Sequence, residues 1–117
     1  STEKLDIVRL NDAAKIIKGN HDFTSFSRNN KNLEHRRCII YESLWKEDNE
    51  IVNYYITGNR FLHHMVRYLV GTMVEVSRKK IRFEKFKELI ENPSENAKIF
   101  KAPPQGLVLY KVDYANN

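Results

Sequence analysis

The chain lacks several features that would point to a secreted or membrane protein. It has one cysteine, Cys38, so no intrachain disulfide can form, and the apolar residues after it predict a buried thiol in a reducing compartment. No apolar stretch reaches the roughly 18 to 20 residues that a membrane-spanning helix needs. No signal-peptide pattern opens the chain. These absences predict a cytoplasmic protein with no membrane partner.

The motifs of the common cofactor and catalytic sites are missing too. The sequence has no Walker loop, no dinucleotide-binding glycine fingerprint and no nucleophile elbow. A helix would direct the adjacent His63 and His64 about 100° apart, so they could not share a metal as an i, i+4 pair does. His21 and Asp22 lie near Ser25 in sequence, but they fit a turn better than a triad. We therefore predict no metal and no cofactor.

Positive charge is what the chain has in excess. Its 117 residues are 41% hydrophobic and 30% charged, which predicts one globular domain over residues 1–117. The net charge of +5 favours a polyanionic partner, either nucleic acid or an anionic membrane surface. Many small basic domains bind nothing charged, so the charge alone does not choose a function.

Local patterns predict an α+β fold. The expected elements, in chain order, are a helix over 12–18 capped by Asn11, a short turn or helix over 20–26, a basic loop over 28–37, strands over 38–45 and 51–57 around a polar turn, a long helix over 60–78, a helix over 83–91, a proline-containing connector over 102–106 and a strand over 107–114. The order α, β, β, α, α, β predicts an antiparallel sheet with helices packed on it.

The long helix is the most informative of these elements. Its sequence from 58 to 71 is GNRFLHHMVRYLVG. At the helical period, one broad arc is apolar and contains Phe61, Leu62, Met65, Val66, Leu69, Val70, Met73 and Val76. The complementary arc carries Arg60, His63, His64, Arg67 and Gly71. A helix that needed only solubility would mix Glu and Lys there. This arc offers cations and imidazoles, with a glycine that permits close approach.

Three segments together resemble a known family. The sequence GNRFLHHMVRYLVGTMVEV over 58–76 resembles the signature of the C-terminal half of the tRNA pseudouridine synthase A (TruA) family. The blocks GNHDFTSF over 19–26 and APPQGL over 102–107 resemble two further family blocks, in the same order. Three ordered blocks make a more specific signal than any single motif, and the resemblance spans residues 19–114.

The resemblance implies an enzyme that isomerises uridine to pseudouridine in the anticodon stem-loop of tRNA, around tRNA positions 38 to 40. It implies no cofactor and usually a homodimer. The family's nucleophile is an aspartate in an Arg-Thr-Asp segment of the N-terminal half, which also carries a stacking tyrosine. This chain contains no Arg-Thr-Asp. It is therefore expected to be the C-terminal domain alone, with the N-terminal half of the same enzyme as its partner, and to be inactive by itself.

Within the resemblance, Arg67 matches the family's arginine beside the nucleophilic aspartate. The chemistry agrees, because a guanidinium favours the ionised carboxylate and fixes its orientation by a bidentate hydrogen bond. On helix geometry alone, a structural ion pair or a surface arginine is about as good an interpretation. The candidate RNA contacts are Arg60, His63, His64, His21, Ser25, Arg28, Arg78 and Lys79. For Arg78 and Lys79, a solvated surface is the alternative. For the His63–His64 pair, the alternative is one partly buried histidine with the other on the basic face.

Two other functions stay open at this point. The chain could be a non-catalytic RNA-binding module on the same scaffold, or a basic scaffold or dimerisation domain with no RNA role. A synthase requires an upstream half with Arg-Thr-Asp. A binding module requires salt-sensitive tRNA binding without that half. A scaffold should not bind tRNA above background.

Overall fold

A computed structural model describes residues 5–28, 33–102 and 108–115. The elements, in chain order, are α1 (Ile7–Ile17), β1 (Gly19–Asp22), one 3-10 turn (Thr24–Phe26), β2 (Arg37–Asp48), β3 (Ile51–Gly58), α2 (Met65–Ser77), α3 (Phe83–Glu91) and β4 (Val108–Tyr114). The predicted α+β class is confirmed, and α3 has the predicted bounds. Most of the predicted connector, residues 103–106, lies outside the described residues.

The four strands form one sheet in the order β1-β2-β3-β4. The predicted antiparallel hairpin of β2 and β3 is confirmed, and β1 adds a further antiparallel neighbour, but β4 pairs parallel to β3, with Val108 opposite Val52 and Tyr114 opposite Gly58. The fully antiparallel sheet predicted from sequence is therefore wrong in this detail. Between β3 and β4 the chain passes through α2 and α3, a crossover of the kind that parallel neighbours need. It leaves β4 at one edge of the sheet.

The helices bury the apolar side of the molecule, and α2 is the most buried of them. Ten of its thirteen residues are buried. Two sulfur contacts tie it to β2: the Cys38 Sγ lies 3.8 Å from the Met65 Sδ, and the Trp45 indole nitrogen lies 3.4 Å from the Met73 Sδ. The predicted burial of Cys38 is confirmed, and this burial raises the pKa of its thiol to about 11. A protonated, enclosed thiol is chemically inert.

The first helix begins five residues before its predicted start. Asp6 is the N-cap, and its Oδ1 accepts hydrogen bonds from the backbone of Val8 and Arg9. Asn11, predicted as the cap, lies inside α1. Its side-chain amide accepts from the Trp45 N–H at 2.8 Å and donates to the Trp45 carbonyl at 3.0 Å. Asn11 thus tethers α1 to β2 in the way a neighbouring strand would.

That tether makes Asn11 a stability determinant. Asn11→Ala leaves both backbone groups of Trp45 without their partner, and we expect a loss of about 1–3 kcal/mol in the free energy of unfolding. Asn11→Asp keeps the acceptor but sets a carboxylate oxygen against the Trp45 carbonyl, so it should not regain the stability of the wild type. Urea unfolding followed by Trp45 fluorescence measures both variants. Equal stability of all three proteins would show that the tether contributes nothing.

The strands also differ from their predicted bounds. β2 continues to Asp48, so the turn to β3 is only Asn49-Glu50, with Asn49 in the left-handed region at φ 59°. β1 was predicted as a turn or short helix. Gly19 opens it at φ +105° and pairs with Ile40. Four residues were too few for alternation to reveal a strand. Phe23 and Phe26, which follow β1, are fully buried as core residues.

Candidate functional site

The segment before α2 is not helical. Asn59 continues the pairing with β2, because its N–H donates to the Ile39 carbonyl and its side-chain oxygen accepts from the Ile39 N–H. The chain therefore cannot begin a helix at Arg60, and α2 begins five residues later, at Met65. The prediction that Arg60, His63 and His64 share a helical face with Arg67 is wrong. His64 is instead the N-cap of α2, in the left-handed conformation at φ 59°.

Arg67 lies on the first turn of α2, with its side chain exposed. It forms no hydrogen bond or ion pair with any residue that the structure describes. It borders an open cavity of about 460 Å³ between the start of α2 and β4. The other lining residues are largely apolar or aromatic: Phe61, Leu62, His64, Met65, Val66, Tyr110, Val112 and Tyr114. A guanidinium beside such walls is placed to receive an anionic group from outside the chain.

The two histidines lie against each other. Their ring centroids are 3.8 Å apart at an interplanar angle of 48°, so the predicted divergence of about 100° is wrong. The His64 ring also meets the edge of Tyr68 at 6.3 Å. Desolvation by the surrounding protein, and then the charges of His63, Arg67 and Lys101, lower the pKa of His64. Within the described ranges, no group of three or more His, Cys, Asp or Glu side chains could hold a metal ion.

Two further cationic residues, Arg28 and Lys101, lie near the start of α2. The Arg28 guanidinium lies 5.2 Å from the centroid of the Tyr68 ring. The backbone of Lys101 passes directly over Gly71, one turn after Arg67, and the Lys101 charge lowers the pKa of His64. Sequence analysis missed Lys101. The only sequence signal was that Lys101 directly precedes the 102–107 block of the resemblance. These five side chains form what we call the α2 cation cluster: Arg28, His63, His64, Arg67 and Lys101.

The remaining candidates on the strand side have structural roles. The Arg60 guanidinium donates to the Arg37 carbonyl at 2.9 Å and to the His35 carbonyl at 3.3 Å, which fixes the chain before β2. The His21 ring contacts the Lys18 carbonyl at 2.6 Å. His21 also lines a second opening of about 420 Å³ between β1 and the end of α3. Arg60 and His21 are therefore not part of the α2 cation cluster.

The structure changes the role assigned to Ser25. It is fully buried, and its Oγ donates to the Leu89 carbonyl at 2.8 Å and accepts from the Ser94 N–H at 3.0 Å. The hydroxyl joins the 3-10 turn to the end of α3. The prediction that Ser25 lines an RNA-binding cleft is therefore wrong, because the hydroxyl is buried and already bonded.

Arg78 and Lys79 lie at the opposite end of α2. Arg78 follows Arg67 by eleven positions, about 16–17 Å along the helix axis. Arg78 forms an ion pair with Glu75 at 3.6 Å. Lys79 is exposed and left-handed, at φ 64°. The Lys79 N–H donates to the Val76 carbonyl and the Lys80 N–H to the Glu75 carbonyl, which is the Schellman pattern.

The Schellman position normally carries glycine, because a Cβ is strained in the left-handed region. We therefore expect Lys79→Gly to raise the free energy of unfolding by about 1 kcal/mol. Lys79→Ala removes the same charge and keeps the Cβ, so it should leave stability unchanged within about 0.5 kcal/mol. Urea unfolding of both variants checks this. A Gly variant no more stable than the Ala variant would contradict the assignment of strain.

No helix among the described residues has the length and apolar character needed to cross a membrane.

Comparisons with known proteins agree with one another. The profile of the family described as tRNA pseudouridine synthase matches residues 13–115. A tRNA pseudouridine synthase A of Chlorobium limicola is 37% identical over 114 residues, which cover 97% of this chain and 47% of the relative. Those of Clostridium acetobutylicum and Mycoplasmoides gallisepticum are 38% and 40% identical, each over 111 residues, covering 46% and 41% of the relative. The chain thus spans less than half the length of these relatives.

Proposed function

This chain belongs to the tRNA pseudouridine synthase family, and from that premise we propose that it is the C-terminal domain of such an enzyme. The complete enzyme isomerises uridine to pseudouridine in the anticodon stem-loop of tRNA. This domain, residues 1–117, supplies an arginine and a basic surface. The nucleophilic aspartate comes from the N-terminal half, so the chain alone is inactive. The complete enzyme works without a cofactor, as a homodimer in the cytoplasm.

The observation that carries the proposal is the position of Arg67. A nucleophilic carboxylate must stay ionised in a pocket that excludes water, although burial raises its pKa. A guanidinium beside it lowers that pKa and holds both oxygens through two parallel hydrogen bonds. Arg67 is exposed at the rim of a largely apolar cavity, with no partner among the described residues. Lysine could supply the charge but not the two-pronged geometry.

The chain's own aspartates do not supply the nucleophile. None lies in an Arg-Thr-Asp segment: the five are Asp6, Asp12, Asp22, Asp48 and Asp113. Asp6 caps α1, and the Asp22 Oδ1 accepts from the backbone N–H and the hydroxyl of Thr24. None of the five is among the residues that line the cavity beside Arg67. We therefore assign the nucleophile to the N-terminal half.

The edge of the sheet offers a surface for the N-terminal half, next to the same cavity. β4 is an edge strand, and it exposes Leu109 by 50%, Tyr110 by 42% and Tyr114 by 70%. Tyr110 and Tyr114 also line the cavity beside Arg67. Edge strands with exposed apolar side chains are usually covered in the complete protein. We assign this surface to the N-terminal half, which would bring its carboxylate to Arg67.

The proposed RNA surface begins at the α2 cation cluster. Arg28, His63 and His64 would meet the stem-loop next to the target uridine. Arg60, which holds the chain beside β2, would contribute charge at a greater distance, and His21, beside β1, would be a further distant contact. Arg78 and Lys79 would meet a more distant part of the RNA. Binding through phosphates weakens steeply as salt rises.

The experiment is to map pseudouridine in unmodified tRNA after incubation with the complete product of the gene that encodes this chain, and with the chain alone. Carbodiimide labelling and primer extension locate the modified base. We expect modification in the anticodon stem-loop by the complete product and none by the chain alone. Salt-sensitive tRNA binding without modification would favour the RNA-binding module instead. Neither binding nor modification would favour the scaffold.

A further inference from the structure

A segment of the chain passes over α2 and fits against its glycine. A Cβ on Gly71 would overlap the Phe100 carbonyl oxygen and the Lys101 carbonyl group. The Thr72 hydroxyl accepts a hydrogen bond from the Phe100 N–H at 3.2 Å and donates to the Tyr68 carbonyl at 2.8 Å. We call residues 97–102 the strap. Gly71 therefore permits close approach, as its position suggested, but the group that approaches is the chain's own backbone.

The strap carries Lys101 to the α2 cation cluster. Its apolar side chains Ala97, Ile99 and Ala102 pack against the core, while Lys101 is exposed. Arg67 and Lys101 both carry positive charge, and both charges lower the pKa of His64. Like charges held together repel one another unless a counter-charge arrives. The fold thus fixes the backbone of Lys101 against Gly71, one helical turn after Arg67.

The chemistry of their side chains separates the roles of Arg67 and Lys101. Arg67 has the planar fork that matches a carboxylate, whereas Lys101 is a compact point charge, which binds a phosphate without fixing its orientation. We propose that Lys101, presented by the strap over Gly71, binds a backbone phosphate of the RNA beside the target uridine and leaves Arg67 to the carboxylate. This inference rests on the proposed function. A carboxylate of the N-terminal half is the alternative partner of Lys101.

The test compares Lys101→Ala with Lys98→Ala in the complete gene product. Lys98 lies three residues earlier on the strap, is also exposed, and holds its ammonium 5.9 Å from the Phe100 ring. Affinity for an anticodon stem-loop RNA is measured over a series of salt concentrations. For Lys101→Ala we expect the log–log salt slope to fall by about 0.7–0.9, so that at 0.1 M salt Kd rises about 5- to 8-fold. Lys101→Arg should restore the slope, and Lys98→Ala should not change it.

Two results would overturn the assignment while leaving the proposed function intact. One is an unchanged salt slope in Lys101→Ala when the wild type binds the stem-loop and modifies tRNA. The other is unchanged RNA affinity with a lowered melting temperature, which would assign Lys101 to a protein carboxylate. If the wild-type product neither binds nor modifies the RNA, the proposed function fails, and the assignment of Lys101 fails with it.

Discussion

Arg67→Ala in the complete gene product is expected to lower the rate of pseudouridine formation by about 100- to 1000-fold or more, the range seen when one preorganised electrostatic partner is removed from an active site. The fold should persist, because Arg67 is exposed and makes no hydrogen bond within the described residues. Surface changes of this kind alter stability by about 0.5 kcal/mol or less. Loss of activity without loss of stability separates a catalytic role from a structural ion pair.

Two variants sharpen this test. Arg67→Lys keeps the charge and loses the fork, so it should recover only part of the rate. Lys87→Ala removes one exposed cation from α3, outside the proposed RNA surface, and it should keep the catalytic rate of the wild type. Single-turnover formation of pseudouridine at saturating enzyme measures chemistry apart from binding. A rate for Arg67→Ala within a few-fold of wild type would remove Arg67 from the active site.

Gly71→Ala is expected to destabilise the protein, which is the opposite of what helix propensity predicts. Ala in place of Gly inside a helix normally stabilises by about 0.5–1 kcal/mol. At this position the added Cβ would overlap the backbone of Phe100 and Lys101, which cannot move aside as the end of a flexible side chain could. Overpacking of this kind costs about 1–3 kcal/mol, so the steric term should win. Gly71→Val should cost more.

Urea unfolding of the chain, followed by the fluorescence of its single, buried Trp45, measures this change. Thr72→Val is the matched comparison, because it removes the other anchor of the strap without adding bulk to the helix. It leaves the Phe100 N–H unsatisfied and should cost about 1–3 kcal/mol. A Gly71→Ala protein as stable as the wild type, or more stable, would show that the strap does not press on α2.

Sequence patterns predicted the elements whose periodicity is strong. The α3 bounds follow from helical periodicity and the Asn-Pro that ends the helix. The β2–β3 hairpin follows from β-forming residues on either side of a polar turn. The start of α2 does not follow from such a local pattern, because it depends on Asn59, whose bonds to Ile39 reach across the sheet. The direction of β4 was also hidden, since alternation looks the same in a parallel and an antiparallel strand. Both failures concern contacts between distant residues.

The candidate site divides in the same way. Arg67 could be found because it is a cation within an otherwise largely apolar helical pattern, inside a segment with a specific resemblance. Gly71 could be recognised as a point of close approach, but not what approaches it. Lys101 joins the α2 cation cluster only because the strap folds back over α2, which no local pattern encodes. Ser25 was misassigned because a serine near a histidine looks polar and exposed until its burial is known.

The pairing of Arg67 with a carboxylate is tested most directly by a crystal structure of the complete gene product. The expected result is an aspartate of an Arg-Thr-Asp segment beside Arg67, with two guanidinium N to carboxylate O distances of about 2.7–2.9 Å. Such a pair would lie at the cavity between α2 and β4. An Arg67 guanidinium paired elsewhere, or a gene product with no aspartate at this cavity, would contradict the proposed active site.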